Sequence, residues 1–176
     1  MTPAAQLSLD GSAPTSSARF SPCRLYRYEL RRTWDARLPV LAFCLVNPST
    51  ATAEADDPTI RLLCSWARLL GYGGIVVVNL FAWRSTDPAE MKRSAEPIGP
   101  ENDAAIVAVA RESGMVVCAW GANGTHLDRG PAVAAALRAA GVQLYRLPIP
   151  LTKSGQPCHP LYKPVRGALV PWEASR

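Results

Sequence analysis

Two apolar runs, each stopped by an asparagine, constrain this chain more than any other feature. Residues 41–46 (LAFCLV) end at Asn47-Pro48-Ser49, and residues 75–78 (IVVV) end at Asn79. Uninterrupted apolar runs of this length read as strands covered on both faces, the pattern of parallel sheets. Between them Asp57-Pro58 has the form of a helix N-cap with proline at the first helical position, and Gly71 has the form of a stop. Ile60, Leu63, Ala67 and Leu70 mark the buried stripe of that helix. The unit is strand-helix-strand, and in such sheets ligands gather beyond the carboxyl ends of the strands. Asparagine is depleted from strands. Two of them at those ends mark the place to look for chemistry.

The same grammar extends in both directions. Upstream, Tyr26, Tyr28 and Leu30 alternate with Arg27, Glu29 and Arg31, which predicts a half-exposed strand placed antiparallel beside the first apolar run. Residues 1–19, rich in Ser, Thr, Ala and Pro, are expected as a disordered tail, residues 20–170 as one domain and 171–176 as a second tail. Downstream, Asp87-Pro88 predicts a short capped helical turn, and residues 100–113 a helix closed by Gly114. Residues 115–119 predict a buried strand ending in Trp120-Gly121, residues 131–140 a helix closed by Gly141, and residues 142–147 a last strand. That strand leads through the 152–155 turn into His159-Pro160-Leu161. The expected fold is a three-layer α/β/α domain with a four-stranded, mainly parallel sheet and an N-terminal antiparallel edge strand.

Composition narrows the setting. At 176 residues, 48% of them hydrophobic and 19% charged, the chain can bury a full core. No apolar run approaches the length of a membrane span and the N-terminus lacks the pattern of a secretory signal, so a cytoplasmic protein without membrane partners is expected. A net charge of +5 permits a polyanionic partner without establishing one. The five cysteines, at 23, 44, 64, 118 and 158, form no CxxC pair and read as structural thiols, so no metal site is expected. The WGANG segment (120–124) lacks the lysine and hydroxyl of a phosphate-binding P-loop.

Four strand ends therefore carry Asn47-Pro48, Asn79, Trp120-Gly121 and His159-Pro160-Leu161. In this order VNPS (46–49), VVVN (76–79), CAWG (118–121) and HPL (159–161) resemble the motifs of the uracil-DNA glycosylase superfamily. The longer strings NPSTA, DDPTIR, NLFAWRSTDP and GQPCHPLY also resemble a bacterial and phage domain family of unassigned function. The first resemblance implies a glycosylase-like fold and a hydrolase releasing a uracil-type or modified pyrimidine from DNA, with no cofactor and a monomeric protein.

It also implies roles. Asn47 would position the attacking water, more slowly than an aspartate because an amide is not a strong base. Asn79 would pair bidentately with the amide edge of the base. His159, neutral, would donate to the base O2, and Leu161 would enter the vacated stack, with Pro48 and Ser49 shaping the pocket. Phe81 or Trp83 would stack on the extruded base. Arg84, Lys153, Lys163 and Arg166, near strand-end loops, would contact phosphates. Beside these stand plainer roles: Asn47 ending a strand, Asn79 bonding loop backbone, His159 in a turn, Trp120 in the core, Asp56 and Asp57 as caps. A carboxylate from Asp56 or Asp57 would otherwise supply the base that Asn47 cannot. Ser49 and the spacer-free HPLY depart from the superfamily pattern, and residues 152–157 form an extra turn before His159. A non-catalytic nucleic-acid or nucleotide-binding module, or an enzyme acting on free nucleotides, fits the same pattern.

Overall fold

The strand-helix-strand unit forms as its residues dictate. In a computed structural model describing residues 14–161, 163 and 166–173, β3 (Val40–Leu45) leads into α1 (Pro58–Leu69) and returns as β4 (Gly74–Asn79), parallel to β3. The Asp57 carboxylate accepts from the Ile60 N–H at 2.9 Å, with Pro58 opening the helix, so two orphan groups of the first turn are dealt with locally. Three more helices follow: α2 (Pro88–Arg93), capped by Asp87; α3 (Asn102–Ser113), closed by Gly114 in the left-handed region; and α4 (Arg129–Ala139). The strands β5 (Met115–Cys118) and β6 (Gln143–Arg146) alternate with them.

Period-two alternation along the central strands sends side chains into two cores. Leu41, Phe43, Leu45, Ile75 and Val77 pack with Ile60, Leu63 and Ala67 of α1. Ala42, Cys44, Val76 and Val78 pack with Ile106 and Val109 of α3 and Val133 and Leu137 of α4. Helices thus cover both faces of the sheet.

The sheet itself is larger than expected. It is a mixed, seven-stranded sheet in the order β1-β2-β4-β3-β5-β6-β7, not a four-stranded one with a single added edge strand. The four parallel strands β4, β3, β5 and β6 form its centre. Antiparallel strands flank them on both sides. The alternating strand, β2 (Arg27–Thr33), pairs with β4 rather than with β3, because both sides of β3 are taken by parallel neighbours. Outside it β1 (Thr15–Phe20), polar and exposed, pairs along β2 within the stretch expected as a tail. Its TSSARF sequence has no apolar period, and only the waiting edge of β2 makes it a strand. At the other edge β7 (Val170–Pro171) pairs with β6, and Trp172 beyond it is buried edge-on against Trp120, ring centroids 5.4 Å apart. The rest of the two expected tails, residues 1–13 and 174–176, lies outside the described residues. Among the described residues no helix is long and apolar enough to cross a membrane.

Candidate functional site

The parallel strands end together, and a cleft of about 400 Å³ opens there. Its lining includes Asn47, Ser49, Asn79, Trp120, Gly121, His159 and Leu161 from the four strand-end motifs. Asp57, Thr59 and Ile60 from the start of α1 and Ser85 and Thr86 from the loop after β4 complete one side. Strand ends separated by more than a hundred residues of chain therefore meet in one place.

Asn79 is the floor. It is fully buried, and among the described residues neither its Oδ1 nor its Nδ2 has a hydrogen-bond partner. A buried amide left so costs about 1–3 kcal/mol per unpaired group, which folded chains rarely tolerate without a use. Its position is not loose. Asn102 Nδ2, at the start of α3, donates to the carbonyls of Asn79 and Leu80, both at 2.9 Å. Arg129 Nε donates to the Leu80 carbonyl at 3.0 Å and its guanidinium pairs with Asp103. The chain then continues in parallel beside the end of β3, with the N–H groups of Leu80 and Phe81 donating to the carbonyls of Leu45 and Val46. The backbone around Asn79 is clamped, while its side chain has no hydrogen bond among the described residues.

Asn47 has its amide nitrogen committed. Nδ2 donates to the Ser85 carbonyl at 2.8 Å and the Pro48 carbonyl at 3.2 Å. Since both neighbours accept, the nitrogen must face them, and Oδ1 remains as an acceptor at the cleft wall. The Pro48 carbonyl also accepts from Ser85 N–H at 2.9 Å, so Pro48 fixes the loop and does not line the cleft.

His159 is set by the segment before it. Trp120 Nε1 donates to Gln156 Oε1 at 2.8 Å, and Gly121 N–H donates to the Pro157 carbonyl at 2.8 Å. Gly121 has φ +69°, and a Cβ there would sit 3.3 Å from His159 Cβ. Only glycine combines that backbone with that approach. His159 Nδ1 accepts from the Leu161 N–H at 3.2 Å, which places the ring proton on Nε2. Burial lowers the imidazole pKa below its ordinary value, with Asp57 opposing. At neutral pH the ring is an uncharged Nε2–H donor.

The other expected residues separate. Phe81 is wholly in the core, its ring 5.5 Å from that of His126, because the turn after β4 folds back over α3 and α4. Trp83 stands edge-on to Tyr26 at 5.7 Å. Neither lines the cleft, and Trp120, 1% exposed, is chiefly a core residue whose edge reaches it. Arg84 donates to the Arg24 carbonyl and stacks over Phe20, while Lys153, Lys163 and Arg166 are exposed and outside the lining. Asp56 pairs with Arg32 away from the cleft; Asp57 lines it while serving as the α1 cap.

One residue was placed on the wrong side by the alternation. Arg27, read as solvent-facing, is 2% exposed and lines the cleft. Tyr28 and Leu30, two apart, enter clusters on opposite faces of the sheet, so the alternation of β2 breaks beside Arg27. Arg27 Nη1 donates to the Ala51 carbonyl at 2.8 Å; Nε is buried without a partner, and Nη2 makes no hydrogen bond among the described residues. Burial pushes this guanidinium down to about 10, with Asp57 pulling it back. It stays charged at neutral pH.

The cysteines take no part in the cleft. Burial pushes the Cys44 thiol up to about 12 and Cys64 to about 11, and raises Cys118 well above its ordinary value. Among the described residues no group of three or more His, Cys, Asp or Glu side chains is arranged to hold a metal ion.

Compared with known proteins, residues 27–161 match a family described as "Protein of unknown function (DUF1643)". No curated protein and no solved structure matches the chain. The matched span starts at Arg27 and ends at Leu161, both of which line the cleft.

Proposed function

Because the chain belongs to the protein family of unknown function DUF1643, we propose its function from the cleft itself: a glycosylase-like hydrolase that releases a uracil-type or modified pyrimidine from DNA. The observation that carries this reading is the buried, doubly unpartnered amide of Asn79. One carbonyl and one NH₂ side by side complement the N–H and C=O of a ring imide, a bidentate match. His159 Nε2–H supplies a neutral donor for the base O2, and Asn47 Oδ1 supplies an acceptor for a water beneath the sugar. These groups resemble, in kind and order, the working set of the uracil-DNA glycosylase superfamily. Among the described residues Trp120 is the aromatic ring that reaches them, and Leu45, Val46, Ile60 and Leu161 form the apolar walls. The Asn79 amide is sealed from solvent, so entry of a ring includes a small opening of the floor.

A second reading, an enzyme acting on free nucleotides, is favoured by one observation: Arg84, Lys153, Lys163 and Arg166 all lie outside the cleft lining. A single nucleotide needs no track of successive phosphate contacts.

Single-turnover base release from oligonucleotides carrying uracil, hypoxanthine or hydroxymethyluracil, run beside the corresponding free nucleotides, tests both. Release from DNA is expected, with Asn47→Ala and His159→Ala each slowing it by about a hundredfold. Release only from free nucleotides would replace the first reading by the second. No release from any substrate by folded protein would overturn both. Duplex binding should also weaken by about 0.9 log unit per log unit of salt for each phosphate contacted.

A further inference from the structure

The cleft holds a charge for which the reading above has no use. Arg27 is buried at its base, one nitrogen is spent on the Ala51 carbonyl, and no carboxylate lies within ion-pair distance among the described residues. A buried, incompletely bonded guanidinium is costly, and an anion brought beside it relieves that cost. Asp57 is the nearest countercharge felt, but its carboxylate already accepts from the Ile60 N–H.

We infer that Arg27 is a binding residue of the cleft, selecting planar imide rings in their anionic form while Asn79 reads the ring edge. Three observations support it: Arg27 and Asn79 line the same cavity, each keeps buried nitrogen without a partner, and Ala51, which Arg27 holds, belongs to the loop that carries Asn47 into α1. The inference rests on the reading of Asn79 as an imide receptor and deepens it. In N-glycosidic hydrolysis the C1′–N bond breaks with its electron pair leaving on the base. The water oxygen forms the new bond to C1′, and its proton finally neutralises the base. Between those events the base is an anionic imide, the species Arg27 would hold. A guanidinium suits this task because it remains charged and its donors are planar.

The test is equilibrium binding by calorimetry, with uracil as neutral probe and 5-nitrouracil, ionised at the assay pH, as anionic probe. Wild type is expected to bind 5-nitrouracil more tightly by about tenfold or more, the scale of one charge-assisted hydrogen bond. Arg27→Met should reduce the preference to about twofold or less, and Arg27→Lys should keep part of it. Arg27→Gln, which retains a donor for the Ala51 carbonyl, covers the case in which the methionine variant fails to fold. A preference that survives loss of the charge, equal binding by wild type, or binding of neither probe overturns the inference. Base release reports separately. Anion preference without release sinks the hydrolase and leaves Arg27 assigned, whereas release unaltered by Arg27→Gln sinks Arg27 and leaves the hydrolase.

Discussion

Two buried arginines on one strand, Arg32 and Arg27 of β2, sit in opposite states. Arg32 is saturated: Nε donates to Asp56 at 2.8 Å, Nη1 to the Arg31 carbonyl at 2.8 Å, and Nη2 to the carbonyls of Thr52 and Ala55. It pins the loop between β3 and α1 to the sheet. Arg27, five residues earlier on the same strand, has one carbonyl and no other hydrogen bond among the described residues. The same side chain is a rivet at one end of the strand and an unspent charge at the other. What distinguishes them is whether the neighbouring chain supplies acceptors, and beside the cleft it does not.

That contrast breaks most sharply under substitution. Arg32→Met strands Asp56 and three carbonyls and should cost about 3–5 kcal/mol in urea unfolding. Arg27→Met should stay within about 1 kcal/mol of wild type, since losing the Ala51 bond and relieving a buried charge oppose each other. Similar losses at both positions would show that Arg27 is structural after all.

Asn79→Leu sharpens the comparison at the floor. Removing two unpaired polar groups in favour of an apolar side chain of similar size should leave the protein as stable or more so, by about 1 kcal/mol. Base release, or ring binding in a calorimeter, should meanwhile fall by about a hundredfold. A variant that lost stability instead would mark Asn79 as a packing residue.

Asp57→Ala tests a residue that belongs to both regions. Loss of the α1 cap should lower stability by about 1 kcal/mol, read from the urea midpoint. The smallest effect concerns pH. The folded-state pKa of His159 lies below the ordinary 6.5, so the unfolded chain takes up the proton first. This contribution to stability is complete above 6.5 and is lost as pH falls from there through the lowered folded value. Base release should hold level across neutral pH and decline only below that lowered value, abolished selectively in His159→Ala. A decline that starts above 6.5 would remove neutral His159 as the donor.

Much of this was legible in the chain. Asn47 and Asn79 stood out because each stops an apolar run where a parallel sheet presents its ligands, His159 because its HPL segment resembles a family motif, and the fold does bring the three together. Asp57-Pro58, Asp87-Pro88 and Gly114 announced helix ends through local stereochemistry and act as such. Arg27 was hidden for the opposite reason. Its neighbours alternate well, and nothing local shows that β2 breaks its face between Tyr28 and Leu30. Phe81, read as a loop aromatic, is core because two helices distant in sequence close over it. Asn102 and Arg129, which clamp the carbonyls behind Asn79, carried no signal beyond standing near helix starts.

Alone, the sequence determined the parallel centre of the sheet, the helix limits and the asparagines at the strand ends. Each follows from periodicity or capping within a few residues of chain. Tertiary structure decided the antiparallel edges, which depend on an unpaired neighbour being present. It also decided which polar atoms of the cleft are left without partners, because that depends on what the rest of the fold places over them.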